Sequence, residues 1–126
     1  MIARMHLLDT SILVPILRKN EIALAWFESN TDDPKMSVVS LTELYLGIRR
    51  QREERDLVEL ERLVRPLAVD RDIAVRAGVF LRHYGPSHSV EIPDAIIAAT
   101  AEHHGLRLAT LNVKHFPMFP KLKSVY

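Results

Sequence analysis

The chain has 126 residues, an apolar fraction of 48% and no cysteine, which suits one compact core rather than two and excludes a disulfide framework or a thiolate metal centre. Its 17 basic and 16 acidic residues leave a formal charge of +1, so affinity for nucleic acid has to come from local clusters or from metal, not from a global field. The apolar N-terminal stretch around Arg4 is interrupted by Asp9 and Pro15, well short of the about 18 apolar residues of a membrane span, and the expectation is a cytoplasmic, unprocessed, single domain over residues 1–126.

Met5 to Leu8 reads as a short buried strand that stops at Asp9-Thr10-Ser11, residues that supply helix-capping oxygens. Ile12 to Lys19 and Glu21 to Ser29 read as helices parted by Asn20, and the polar stretch Asn30 to Lys35 with its Pro34 as a loop. Met36 to Val39 is expected as a second strand. A long helix from Leu41 follows, its core stripe formed by Leu41, Leu44, Tyr45 and Ile48, with Glu43, Gly47 and Arg50 on another face. Leu57, Leu60, Leu63 and Val64 continue the helical pattern up to Pro66. Leu67 to Val69 is a candidate third strand, Arg71 to His83 a helix and Gly85 to Glu91 a loop. Pro93 suits the first position of a helix with Ala95, Ile96 and Ala99 on one face, ended by Gly105. Leu106 to Thr110 reads as a fourth strand and Lys123 to Tyr126 as a short last one. Strands separated by helices predict an α/β fold, a three-layer α/β/α sandwich with a mainly parallel central sheet.

In such a sheet ligands bind beyond the carboxyl ends of the strands. Asp9, Glu43 and Asp94 stand at junctions of that kind, and Thr110 ends the fourth strand. Three carboxylates on one rim resist joint ionisation unless a cation or protons neutralise them. Oxygen-rich ligand sets suit magnesium or manganese. Each acid also has an ordinary structural explanation: Ser40 to Glu43 fits a capping box, Asp9 can cap the first helix, and Asp94 beside Pro93 can complement a helix dipole. Capping, though, does not ask the acids to converge. The mixed charge of Arg49 to Arg55 reads as a solvated helix face, Arg50 excepted, because it falls two turns after Glu43 on the same side. Trp26 and Phe27 read as core or interface, and the histidines as surface or packing residues, with His115 a candidate substrate contact.

Four motifs, Asp9-Thr10-Ser11, Ser40 to Gly47, Pro93 to Ala101, and Thr110-Leu111-Asn112 with His115-Phe116, together resemble the PIN-domain family, and within it the VapC-type toxins, over essentially the whole chain. The resemblance implies a magnesium-dependent (or manganese-dependent) endoribonuclease, the toxin of a toxin–antitoxin pair, in which a metal-activated water attacks an RNA phosphodiester and leaves a 5′-phosphate and a 3′-hydroxyl. It makes Asp9, Glu43 and Asp94 metal ligands, Thr10 or Ser11 contacts to a ligand or to the substrate phosphate, and Thr110 and Asn112 orienting groups for water or a fourth acid. His115 departs from the pattern, since many members carry aspartate there; a neutral imidazole brings no negative charge, which leaves one-metal and two-metal chemistry both open.

The same resemblance implies a VapB-type antitoxin that covers the acidic pocket with a basic side chain, and a homodimer that forms a heterotetramer or larger assembly with it. The helices around Ile22 to Phe27 and Leu44 to Ile48 are the candidate dimer surfaces. Two other readings stand beside this one. A phospho-acceptor signalling module would use Asp9, Asp70, Thr110 and Lys114, and a catalytically silent PIN-like module would bind RNA or a partner without turnover.

Overall fold

In a computed structural model residues 5–126 are described; Arg4, which enters the expectation of an unprocessed N-terminus, lies outside them. The chain runs β1 (His6–Leu8), α1 (Thr10–Leu17), α2 (Glu21–Asn30), β2 (Lys35–Ser37), α3 (Val38–Leu46), α4 (Gln51–Leu63), β3 (Arg65–Leu67), α5 (Arg71–His88), α6 (Ile92–His104) and β4 (Arg107–Ala109), followed by a 3-10 turn at Val113–His115. The strands form one parallel sheet in the order β3-β2-β1-β4.

Strand residues alternate between faces, and the packing follows that alternation. Leu7 and Leu108 join Ile73, Ala77, Phe80 and Ala98 under α5 and α6. Leu8, Met36 and Ala109 join Ile12, Leu13, Leu44 and Leu57 beneath α1, α3 and α4. The result is the expected three layers. Leu8 pairs with Ala109, so the next residues, Asp9 and Thr110, leave the sheet side by side.

Several boundaries differ from the sequence expectation, each for a local reason. The second strand is Lys35–Ser37, not Met36 to Val39, because the Val39 N–H donates to Ser37 Oγ at 3.2 Å and starts α3 at Val38. Ser40 and Glu43 therefore lie inside a helix and form no capping box. The long helix from Leu41 is two helices: α3 ends at Leu46, and Arg50 is the extended N-cap of α4 with φ −133° and ψ 148°. That break removes Arg50 from helical phase with Glu43. Tyr45, expected inward, is 41% exposed, since the buried seam of α3 narrows to Ser40 and Leu44.

The third strand sits two residues earlier than expected and contains Pro66, which an edge strand tolerates because one of its sides has no ladder that needs a backbone donor. The expected loop from Gly85 is the last turn of α5, which continues through Pro86 to His88 and is capped by Ser89 at φ 54°. Proline so near a helix end forfeits one helical hydrogen bond and leaves little helix beyond it to kink. Pro93 occupies the second helical position, since Glu91 is the N-cap. Lys123 to Tyr126 forms no strand; the tail turns toward α2, with the Tyr126 ring 6.3 Å from that of Trp26.

Candidate active site

The order β3-β2-β1-β4 reverses direction at β1. The connections from β1 and β4 part there, which leaves a crevice at the carboxyl ends of the two strands. A cleft of about 340 Å³ opens at this place, and its walls include Asp9, Thr10, Ser11, Glu43, Asp94, Asn112 and His115. Thr110 lies fully buried beneath it. Of the residues nominated for the site from sequence, Thr110 reaches the cleft only through its bond to Asp9, and Arg50 does not line it.

Asp9 is the most constrained of the acids, with 5% exposure. Ser11 donates to its Oδ2 at 2.7 Å and Thr110 donates to the same oxygen at 2.8 Å. Each hydroxyl carries one proton, so both are spent on Asp9, and the 3.3 Å approach of Ser11 to Thr110 is a contact set by the shared acceptor. The hydroxyls also accept, Ser11 from the Leu111 N–H at 3.0 Å and Thr110 from the Asn112 N–H at 2.9 Å. This lattice ties the start of α1 to the end of β4 and fixes the carboxylate with Oδ1 left for a ligand. Although Asp9 is the N-cap residue of α1, its side chain makes no capping bond; the capping explanation fails at this position.

Thr10 serves a different partner. Its hydroxyl donates to Glu43 Oε1 at 2.6 Å, the short distance of a charge-assisted bond. The same hydroxyl also faces buried Ser40 Oγ as an acceptor at 3.1 Å, so its one proton is shared, with the shorter bond going to Glu43. Consecutive residues Asp9, Thr10 and Ser11 thus reach the cleft, α3 and the β4 loop.

Asp94 combines both readings. Its Oδ2 accepts the Glu91 N–H at 3.3 Å, half of a capping box, while Oδ1 faces His115 Nδ1 at 3.6 Å. Burial raises the Asp94 carboxyl above its usual range; the bond from the Glu91 N–H and the His115 ring oppose the rise, and the charges of Asp9 and Glu91 add to it. Glu91, a fourth acid on the cleft wall, was not nominated from sequence. The signal was present: it stands three residues before Asp94, the spacing of an N-cap and its third helical residue.

Among the described residues no three Asp, Glu or His side chains stand close enough to close on one ion. Glu43 is held to one side by Thr10. The donor set nevertheless fits a hard cation, because magnesium is commonly held by one or two carboxylates with waters completing its shell. Asp9 Oδ1 and the Asp94 carboxylate meet that requirement.

An α/β sandwich with carboxylates gathered at the β1/β4 switch point defines a class of acidic-cleft proteins, and the comparisons place this chain within it. The PIN domain family model matches residues 6–119, and the chain belongs to that family. It is 42% identical to Ribonuclease VapC10 of Mycobacterium tuberculosis, over 97% of this chain and 93% of the relative. Ribonuclease VapC19 of the same organism is 37% identical, over 97% and 100%. A toxin–antitoxin complex from Klebsiella pneumoniae superposes with a TM-score of 0.82 at 26% identity, over 96% of this chain and 98% of that one. The phospho-acceptor reading fails on position as well: Asp70 caps α5 by accepting from the Ile73 N–H at 2.9 Å and does not line the cleft.

Proposed function

We propose that this chain is a metal-dependent endoribonuclease and the toxin of a VapBC-type pair, acting as one domain in the cytoplasm. The convergence of Asp9, Glu43 and Asp94 on a single cleft carries the reading, and the ribonuclease relatives at 42% and 37% identity support it. Asp9 and Asp94 would hold the cation, with Glu43 completing the acidic wall; an oxygen donor set with few carboxylates and several waters suits magnesium, and manganese takes the same ligands. When bound, the ion neutralises these acids, draws charge from the scissile phosphate and acidifies a water molecule.

The protein side chains do the rest. Ser11 and Thr110 keep the Asp9 carboxylate aimed. Thr10 holds Glu43 at the cleft edge, where its carboxylate would accept the proton released by the attacking water. Half-exposed His115, beside Asp94, and Asn112 present hydrogen-bonding groups to the phosphate. In-line attack then leaves a 5′-phosphate and a 3′-hydroxyl. His115 supplies no negative charge, so a second cation would have to draw on Glu91, the fourth acid of the wall.

A complex of toxin and antitoxin is the natural storage form. The Klebsiella structure is of such a complex, and an acidic cleft is well matched by arginine from a partner, which binds carboxylates through two parallel hydrogen bonds. A homodimer has exposed apolar side chains available in Ile22 at 64% and Leu46 at 86% exposure, one on each helix nominated for it. Among the described residues no helix is long and apolar enough to cross a membrane.

The test is cleavage of a labelled RNA by the purified chain. EDTA is expected to abolish it, added magnesium to restore it, and Asp94→Asn to remove it while the thermal melt stays cooperative. Undiminished turnover by the Asp94→Asn protein would sink the assignment.

A further inference from the structure

Arg50 does not line the acidic cleft, but the cations on either side of it line a second groove. This groove, of about 460 Å³, adjoins the cleft, with Val14 and Glu43 in the walls of both. One wall comes from the end of α1, carrying Arg18 and Lys19, and the other from the α3–α4 junction, carrying Arg49 and Arg52, with the acids Glu43, Glu53 and Asp56 also in the lining. All four basic side chains are exposed, and none forms an ion pair within 4 Å among the described residues.

Two of these placements run against local preference. Lys19 holds a left-handed backbone at φ 61°, a region that non-glycine residues avoid. Arg52 is the second residue of α4, after Arg49, the N-cap Arg50 and Gln51, and its charge opposes the helix dipole that Glu53 and Glu54 of the same turn complement. Breaks of local preference of this kind are expected at functional or strained sites. Unpaired cations that lead into a phosphodiester-cleaving site are matched by a polyanion.

We propose that single-stranded RNA reaches the cleft along this groove, with its phosphates held by Arg18, Lys19, Arg49 and Arg52; the inference rests on the ribonuclease reading above. The groove's lining includes no aromatic side chain, so bases have no stacking platform there. Contacts to the backbone position a strand without reading its sequence. The four cations are therefore positioning residues that add affinity equally for all sequences, and any sequence choice is made in the cleft.

The experiment measures fluorescence anisotropy of a labelled oligoribonucleotide with the Asp94→Asn chain in EDTA, over a series of salt concentrations. Arg49→Ala/Arg52→Ala is expected to weaken binding about tenfold at low salt and to flatten the slope of log affinity against log salt by about 1.4, since each phosphate contact on a single strand contributes about 0.7. Arg49→Lys/Arg52→Lys keeps most of the affinity, and Arg82→Ala on α5 changes nothing. In the active chain the double alanine variant raises KM for long substrates and leaves kcat in place. Equal affinity and slope for the alanine variant overturn the proposal. So does loss of antitoxin binding with RNA binding intact, which reassigns the groove to a protein partner. Absence of RNA binding and cleavage by the unsubstituted chain overturns the ribonuclease reading itself, before any groove variant is made.

Discussion

Asp9→Asn is expected to lower kcat/KM for RNA by about a thousandfold or more, equivalent to about 4 kcal/mol of transition-state stabilisation. The substitution is nearly isosteric, and the asparagine carbonyl can still accept from Ser11 and Thr110, which now donate at 2.7 and 2.8 Å. What disappears is the negative charge and the oxygen left for a cation, replaced by an amide that carries hydrogens. Stability should fall by only about 1–2 kcal/mol, because two hydrogen bonds to a charged acceptor become bonds to a neutral one. Thr110→Val provides the graded comparison. It removes one donor to the carboxylate and leaves the charge, so activity should drop about 10- to 100-fold, the usual effect of losing a group that orients a ligand. Steady-state kinetics alongside circular dichroism melts would separate these outcomes. If Asp9→Asn and Thr110→Val lost activity equally, Asp9 would be acting as a structural tie and not as the ligand.

That distinction shows which parts of the site could be read from sequence. Asp9, Ser11, Thr110 and Asn112 were legible because a short apolar strand that ends in small polar residues can place them only at a sheet edge, and parallel strands bring such edges together. Asp94 was legible through Pro93, which announces a helix start. The environment of Glu43 was not, since Val38 and Val39 have the β-branched composition of a strand and their helical state depends on one hydroxyl, that of Ser37. A separate miss, the break after Leu46, extended one helix across residues 47–50 and put Arg50 on the side of Glu43. Once the chain breaks at Gly47, Arg49 and Arg52, which read as solvated charge, line a groove instead. A missed break misplaces every side chain beyond it, because helix phase holds only within one continuous helix, whereas a strand-end residue depends only on its neighbour in the ladder.

Phe116→Ala is expected to produce the largest loss of stability among single changes near the site, about 3–5 kcal/mol, against a total that for such domains is about 5–15 kcal/mol. Phe116 is 1% exposed and belongs to the core cluster containing Leu7, Phe80 and Leu108. Its backbone N–H donates to Val113 O at 3.0 Å and closes the 3-10 turn that follows Asn112 and ends at His115. The ring therefore anchors to the core the turn that brings both polar side chains to the cleft. In urea the alanine variant should unfold at a much lower midpoint with an unchanged slope, while Phe116→Leu, which conserves most of the volume, should lose under about 1.5 kcal/mol. Activity measured where Phe116→Ala is still folded decides the functional part. A further 10- to 100-fold deficit per folded molecule is expected, because positioning groups lose their effect when their support is slack. Activity that simply tracked the folded fraction would mean that Asn112 and His115 need no such anchor, and that the acids alone set the rate.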